Sequence, residues 1–391
     1  MNQPNQFDAI VVGAGIVGST TAFTLAESGK RTALVESGQI GEGTSNNSFA
    51  WINATSKTSH DDYHRLNALG ADGYRRFAQR FGEATIGLHP IGMLQWIDAR
   101  DTDAEAELGA RLKTLQRLDY PVRPVGLAEL RAMEPHVQFG DNAAGLFALA
   151  DAWLDTQTFI PFIVGEFQRL GGEVFERTPA RHLSFDETGQ VEGLKVDGAE
   201  LCAPHVIVAS GPNVPELLSE LTDYDAYRQR FPVRRGPGLL VLTPSIAPYQ
   251  FARHILYTDS PHHFHIRPAP GGGLLLGADD TDGLVDERGE REAMREGARQ
   301  LLERARTYLP QFVGAACLDE CELKLGIRPV PQDGLSILGP MPGAKGLHLA
   351  VTHSGITLAP AIGSLLTQTV VDGEPPDTLS PFLFDRFQIQ P

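Results

Sequence analysis

An apolar strand, Asp8-Ala9-Ile10-Val11-Val12, runs straight into Gly13-Ala14-Gly15-Ile16-Val17-Gly18 and then into a helical stretch from Ser19 to Ser28. Few folds accept that succession. Gly13 permits a tight turn, Gly15 lets a pyrophosphate approach the backbone, and Gly18 lets the helix pack closely on the sheet. The helix N-terminus then offers phosphate its unpaired N–H groups and the positive end of its dipole. A second strand, Arg31-Thr32-Ala33-Leu34-Val35, ends in Glu36, 21 residues beyond Gly15, where a carboxylate takes both hydroxyls of an adenosine ribose and repels a 2′-phosphate. The spacing predicts an α/β, Rossmann-type start that binds an adenine dinucleotide with a free ribose, NAD or FAD, and does not choose between them.

Length and charge bound the rest. At 391 residues the chain is longer than one hydrophobic core usually grows, so two domains are expected. The formal net charge of -16 makes no electrostatic case for nucleic acid or an anionic membrane surface, which both call for clustered Lys and Arg. No run approaches the roughly 20 apolar residues of a membrane span, and the N-terminus lacks the basic and apolar regions of a secretion signal. Cys202, Cys317 and Cys321 are the only thiols, which suits a reducing compartment, and a cytoplasmic location is expected. Cys317 and Cys321 have no second pair or nearby His and read as structural.

The pattern then leaves the nucleotide fold and returns to it. A polar segment from Gly41 to Ser48 suits a loop lying along a cofactor, although its composition fits a plain surface loop equally well. A helix is expected after it, with Ser59 as N-cap, Asp61 and Asp62 in its first turn, and Tyr63, Leu66, Leu69, Tyr74 and Phe77 facing a core. Helices are also expected over Gln157 to Leu170, Val214 to Leu221, Glu290 to Tyr308 and Leu358 to Val371. Val206-Ile207-Val208 reads as a central parallel strand, and Gly238 to Leu242, Phe264 to Arg267 and Gly273 to Leu276 as strands of a second sheet.

In this order and spacing, Gly13-Ala14-Gly15-Ile16-Val17-Gly18 with Glu36, Gly43-Thr44-Ser45, Val206 to Gly211, Gly326-Ile327-Arg328-Pro329 and Thr352-His353-Ser354-Gly355-Ile356 carry a resemblance. Over almost its whole length the chain is similar to the D-amino-acid oxidase family of flavoproteins, and most like its glycine oxidase and sarcosine oxidase branch. The resemblance implies a Rossmann-type FAD-binding domain with an inserted antiparallel-sheet α+β substrate domain. The expected division is 1–85, 150–228 and 322–391 for FAD, and 86–149 and 229–321 for substrate. Sarcosine oxidase-like members attach flavin through a Cys that aligns near Gly326, where this chain has none, so non-covalent FAD is expected.

Site residues follow. FAD is expected on Gly13, Gly15, Ile16, Val17, Gly18, Glu36, Ser37, Gly43, Thr44, Ser45, Asn46, Asn47, Ser48, Ala180, Ser210 and Gly211, and on Arg328, His353, Ser354, Gly355, Ile356 and Thr357. Substrate is expected against Trp51, Asn53, Tyr257, His265, Arg267 and Arg328. The resemblance places the substrate carboxylate on Arg328, whose planar guanidinium can grip it with two parallel hydrogen bonds. The competing reading of Arg328 is an ion pair with Asp333 or Glu322. His353, ending a strand beside a glycine turn, is expected to help stabilise charge on reduced flavin, and His265 to take part in catalysis. His262, His263 and His265 lie within four residues, but alternation in a strand would turn His262 away from the other two, and no metal is expected.

The implied chemistry is hydride transfer from a carbon bearing an amine to flavin N5, with the imine hydrolysing afterwards. The partners expected are a small amine or amino acid and an electron acceptor. The strand Gly273 to Gly277 is wholly apolar where sarcosine oxidase-like members carry a Lys that promotes reaction with oxygen, so O2 or another acceptor stays open. Alternatives are a flavin dehydrogenase acting on an amino or 2-hydroxy acid, and a non-catalytic FAD-binding subunit of a complex. Oligomerisation is compatible with all three.

Overall fold

A computed structural model describes residues 5–222, 231–245, 251–258, 263–312 and 317–387. His262 lies outside them.

The first sheet has six strands in the order Ile337–Pro340, Leu347–Val351, Val206–Val208, Ala9–Val12, Thr32–Val35 and Glu173–Phe175. All neighbours run parallel except the antiparallel pair at the Ile337–Pro340 edge. Its central strand explains its own sequence. Ala9 and Val11 point into one core with Phe23, Tyr74, Phe159 and Leu358, while Ile10 and Val12 point into another with Leu183, Leu194, Leu201 and Leu218. A strand buried on both faces has no polar side, hence the unbroken apolar run. Helices Ile16–Glu27, Asp61–Phe81, Thr156–Arg169 and Gly355–Asp372 build the first core. The meander Ala180–Phe185, Val191–Val196, Ala199–Cys202 and the helix Val214–Thr222 cover the opposite face.

The second sheet has eight strands, ordered Glu322–Pro331, Val233–Leu242, Leu274–Gly277, His265–Pro268, Ile255–Thr258, Met93–Asp98, Ala143–Ala148 and Val122–Gly126. Every pairing is antiparallel except the parallel one between Ile255–Thr258 and Met93–Asp98. Helix Arg291–Tyr308 lays Ala298, Leu301, Leu302 and Ala305 on it against Val241 and Leu276. The strand at 322–331, expected with the FAD-binding segments, instead pairs along all ten of its residues with Val233–Leu242. A small sheet of Trp51–Ile52, Ala152–Leu154 and Leu88–His89 carries the chain between the two larger ones.

Three local expectations change. The helix after Ser59 begins at Asp61 with His60 as its cap residue, and no side chain caps it. Asp61 and Asp62 supply the negative charge at that terminus, and Asp61 also takes the Arg117 guanidinium at 2.7 and 2.8 Å. The last long helix starts at Gly355 rather than Leu358, so the expected turn residues Gly355 and Ile356 form its first turn. His263 has a left-handed φ of 49° and stands outside the strand His265–Pro268, so it does not share a strand face with His265.

Helices Asp61–Phe81 and Gly355–Asp372 approach most tightly at Gly70, where a Cβ would lie 2.2 Å from the Thr357 carbonyl oxygen. Gly70→Ala should therefore cost about 1–3 kcal/mol through overpacking against backbone. Gly109→Ala, in helix Thr102–Arg117 with open space around it, should stabilise by up to about 1 kcal/mol. Thermal unfolding of both variants checks the opposite signs; equal midpoints would contradict the close approach.

Candidate functional site

One cavity of about 1280 Å³ runs from the first glycine turn to a chamber beside the second sheet. That exceeds a usual small-ligand pocket and leaves room for a dinucleotide with a small substrate at its end.

At the nucleotide end the turn is fixed by sterics. Gly13 has φ +103°, and a Cβ on it would sit 2.6 Å from the Ala209 carbonyl oxygen; a Cβ on Gly18 would sit 1.8 Å from the Gly13 carbonyl oxygen. Gly18 thus packs helix on strand and does not line the cavity, whereas Gly13, Gly15, Ile16 and Val17 do. Glu36 is held where the sequence puts it. One carboxylate oxygen accepts the Ala14 N–H at 2.8 Å, and the other accepts the Gly38 N–H at 2.8 Å and the Ser37 hydroxyl at 3.2 Å. Ser45 Oγ accepts the Ile16 N–H at 3.0 Å, tying the polar loop to the first helix.

That loop forms the turn Thr44–Asn47, which lies on strand Glu322–Pro331. Gly326 makes the contact possible, because a Cβ there would be 2.4 Å from the Asn47 carbonyl oxygen, and Thr44 Oγ1 donates to the Ile327 carbonyl. Gly43, Thr44, Ser45, Asn47 and Ser48 line the cavity with Ala180, Ser210 and Gly211. Asn46 does not: it sits behind the turn with its buried Oδ1 unpartnered.

At the far end the first turn of helix Gly355–Asp372 meets the Trp51 loop. Thr357 Oγ1 donates to the Trp51 carbonyl at 3.0 Å and accepts the Asn53 N–H at 3.2 Å. His353 Nε2 donates to the Gly334 carbonyl at 3.0 Å, leaving Nδ1 as acceptor for the Ser354 hydroxyl at 3.4 Å. Burial, with Lys57 and Arg328 adding repulsion, pulls the His353 imidazole down to about 4, so it stands neutral near pH 7.

The chamber walls are aromatic and charged. Trp51 and Tyr257 lie 5.7 Å apart, and Phe49 meets His265 edge-on at 4.5 Å. His265 Nδ1 donates to the His263 carbonyl at 2.9 Å, so the lone pair is on Nε2, and burial lowers its affinity for a proton. Gly277, its cross-strand partner, leaves that nitrogen uncovered, since a Cβ there would lie 2.4 Å from Nε2. Lys57 also lines the chamber, its amine pulled down to about 8 by burial against the opposing pull of Asp279.

Arg328 is in the chamber but already engaged. Its Nη2 donates to Asp282 Oδ2 at 2.7 Å and to the Pro237 carbonyl at 2.9 Å, and its Nε reaches the Gly236 carbonyl at 3.4 Å. Neither acid considered from the sequence is its partner: Asp333 pairs with Arg386 at 2.7 Å and Glu322 with Lys324 at 3.2 Å. Asp282 Oδ1 also accepts the Leu239 N–H at 2.8 Å, and burial raises its carboxyl to about 6 although Arg328 draws it down.

Arg267 is not brought to the chamber. Its guanidinium stacks 4.3 Å from the Trp153 ring centroid, and Nε donates to the Phe49 carbonyl at 2.6 Å. Alternation put it on the His265 face correctly, but its length carries the charge past the wall, where it holds the backbone of the aromatic loop.

Sequence reasoning missed Lys57 as a buried amine, Asp282, and Asp151. Asp151 is fully buried and accepts Trp51 Nε1 at 2.8 Å, the Thr55 hydroxyl at 2.6 Å and the Tyr120 hydroxyl at 2.6 Å. Asp279 and Asp282 were signalled only by an acidic run directly after an apolar strand. Asp151 had no local signal, because its three donors come from distant segments. Among the described residues no cluster of three or more His, Cys, Asp or Glu is placed to hold a metal ion. No helix among them is long and apolar enough to cross a membrane.

The wall suits FAD. Buried Ser210 Oγ and Glu216 Oε2 face the same cavity without hydrogen-bond partners, and a buried polar atom without one is costly. Gly43 and Gly211 leave open space where side chains would stand. Glycine oxidase of Bacillus subtilis (strain 168) is 28% identical over 384 residues, 97% of this chain and 97% of that relative. The crystal structure of glycine oxidase from Geobacillus kaustophilus superposes with a TM-score of 0.81 at 24% identity, covering 98% of this chain and 99% of that one. L-proline dehydrogenase from P. horikoshii gives a TM-score of 0.83 at 15% identity, covering 99% of both chains. The two structures speak to the fold; the family rests on a sequence model, described as FAD dependent oxidoreductase, that matches residues 8–369. The chain belongs to that DAO family of FAD dependent oxidoreductases.

Proposed function

We propose that this oxidoreductase oxidises the carbon–nitrogen bond of a small amine or amino acid, releasing an imine that hydrolyses in water, with O2 as the electron acceptor. The observation that carries the reading is the chamber itself: an aromatic cage at the end of the nucleotide cavity that holds both a guanidinium and an uncharged imidazole. The names of glycine oxidase relatives support the substrate class. Bound FAD supplies the two-electron sink.

The chain's own residues supply the rest. Glu36 would hold the ribose, the turn from Gly13 and the N-terminus of helix Ile16–Glu27 the pyrophosphate, and Thr44 to Ser48 with the Ser354–Thr357 turn the flavin end. No cysteine lines the cavity among the described residues, which supports dissociable FAD. Arg328 has Nη2 and Nε committed to the protein, leaving the two Nη1 hydrogens for a substrate carboxylate. An ammonium has no lone pair to share, so the substrate nitrogen must lose a proton first. His265 Nε2 takes that proton, because its lone pair is free and burial keeps the ring neutral. Trp51, Tyr257 and Phe49 exclude water and confine the substrate. Asp151, by gripping the Trp51 indole, fixes that wall.

We place the protein in the cytoplasm, on its three free thiols. Residues 1–85 and 150–228 and the part of 322–391 beyond strand Glu322–Pro331 are proposed as the FAD-holding portion.

Three outcomes are expected. Anaerobic addition of glycine, sarcosine or a D- or L-amino acid should bleach the yellow flavin, and peroxide should form in air; a flavin that no amine bleaches would overturn the reading. Arg328→Leu should weaken carboxylate-bearing substrates by on the order of 2 kcal/mol, the worth of a hydrogen bond to a charged group, while sparing amines without a carboxylate. Steady-state KM for matched pairs checks this. His265→Phe should lower the bleaching rate at neutral pH more than at high pH, where the substrate amine deprotonates in solution; a uniform loss across pH would remove His265 as proton acceptor.

A further inference from the structure

The Arg328 guanidinium serves two masters in this chamber. Asp282 comes from the short turn Asp279–Asp282 that follows strand Leu274–Gly277, and it is not a loose surface acid. One oxygen is fixed by the Leu239 N–H at 2.8 Å and the other reaches Arg328 Nη2 at 2.7 Å, and both residues line the same cavity. Gly238 shapes the meeting place: a Cβ there would lie 3.4 Å from the guanidinium carbon, so a larger residue would crowd the pair. A carboxylate ligand arriving at Arg328 therefore meets a cation that a carboxylate already holds, with a second like charge within a few ångströms.

We propose that Asp282 is an internal competitor for the acid group of the substrate and sets the affinity and selectivity of the chamber for carboxylates. This rests on the reading that Arg328 is the carboxylate seat. A ligand carboxylate binds well only once Asp282 is neutral, so binding takes up a proton. The sign follows. Ionised Asp282 opposes the ligand, protonated Asp282 does not, and its carboxyl sits near 6 in the free protein. Acid ligands should bind best at and below about pH 6 and lose affinity as pH rises above it. Amines that lack a carboxylate have no such competitor and gain the attraction of Asp279 and Asp282.

The groups around Asp282 do not reverse this. Arg328 faces it from strand Glu322–Pro331, and Asp279 from its own turn raises its carboxyl further. Arg235, on strand Val233–Leu242, is held by Glu287, and Arg304, on helix Arg291–Tyr308, is held by Asp280. Lys57 acts on Asp279 and Arg328 and loses charge as pH rises through about 8, which steepens the same trend, while burial keeps His265 neutral and outside it.

The test uses FAD-loaded protein and acetate as the probe, read by the change in the visible flavin spectrum and by calorimetry, neither of which needs turnover. Wild type should bind acetate at least tenfold more tightly at pH 6 than at pH 8, taking up close to one proton at pH 8. Asp282→Asn should bind it at least tenfold more tightly than wild type at pH 8, with the pH dependence flattened. A flat wild-type profile without proton uptake overturns the proposal even where the variant fails to fold. Weaker acetate binding by Asp282→Asn also overturns it and makes Asp282 a positioning residue for Arg328. Arg328→Leu separates the two readings: if that variant binds acetate as well as wild type, the carboxylate seat itself is wrong, whatever Asp282 does.

Discussion

The seat of the Thr44–Asn47 turn on strand Glu322–Pro331 is the contact on which the site depends. The glycine turn at Gly13 belongs to one sheet and Arg328 to another, and two sheets with separate cores have no reason of their own to agree in position. Gly326 removes the side chain that would hold the turn off, and the Thr44 hydroxyl bonds the Ile327 carbonyl. One end of the turn is therefore tied through Ser45 to the first helix, and the other lies on the strand that carries Arg328. Any residue larger than glycine at 326 would act on the nucleotide end and the chamber together.

The same strand explains how the chamber holds an oriented, paired charge. Its ten-residue pairing with Val233–Leu242 satisfies the backbone, so the guanidinium of Arg328 can spend hydrogens on the carbonyls of Gly236 and Pro237 across the ladder. Backbone carbonyls orient the group but carry no net charge. Asp282 supplies the compensating charge through a direct hydrogen bond at 2.7 Å, with the Arg328 side chain still 42% exposed to the cavity. Lys57 has its Nζ 5.9 Å over the Tyr63 ring, and burial, with Arg328 adding repulsion, loosens its proton to about 8 against the pull of Asp279.

Much of the nucleotide end was legible in the sequence because its constraints are local. Gly13, Gly15 and Gly18 are set by one turn, and Glu36 by the end of the next strand; all stand where the spacing put them. Long apolar or amphipathic periods likewise gave the helices to within a few residues. What failed was set by pairing between distant segments. The strand at 322–331 reads as a continuation of the tail, yet its hydrogen-bonding partner lies about 90 residues upstream, in the other sheet. Alternation located the faces of His265 and Arg267 but not the reach of the Arg side chain, which carries its charge behind Phe49. Asp282 escaped notice for the same reason: an acid run after a strand looks solvated until the fold sets one member against a guanidinium.

Asp151 shows how far that limit extends. Trp51, Thr55 and Tyr120 each donate to it, while the Tyr120 oxygen accepts the Ala54 N–H at 3.2 Å, so four residues from two segments close around one carboxylate. Burial pushes this acid up to about 7, whereas the three donors favour its ionised form. Trp51 Nε1–H can only donate, whereas the Thr55 and Tyr120 hydroxyls can donate to a carboxylate or accept from a carboxyl, so the same cluster accommodates either form of the acid. Asp151 does not line the cavity. Its effect is to hold the Trp51 indole edge-fixed against the small sheet, and through the Thr357 hydroxyl bonded to the Trp51 carbonyl, to lock the aromatic wall to the helix terminus beside it. The aromatic wall is thus tied through both the indole and the backbone of Trp51, while on the opposite side Arg328 is held through Nη2 and Nε alone among the described residues.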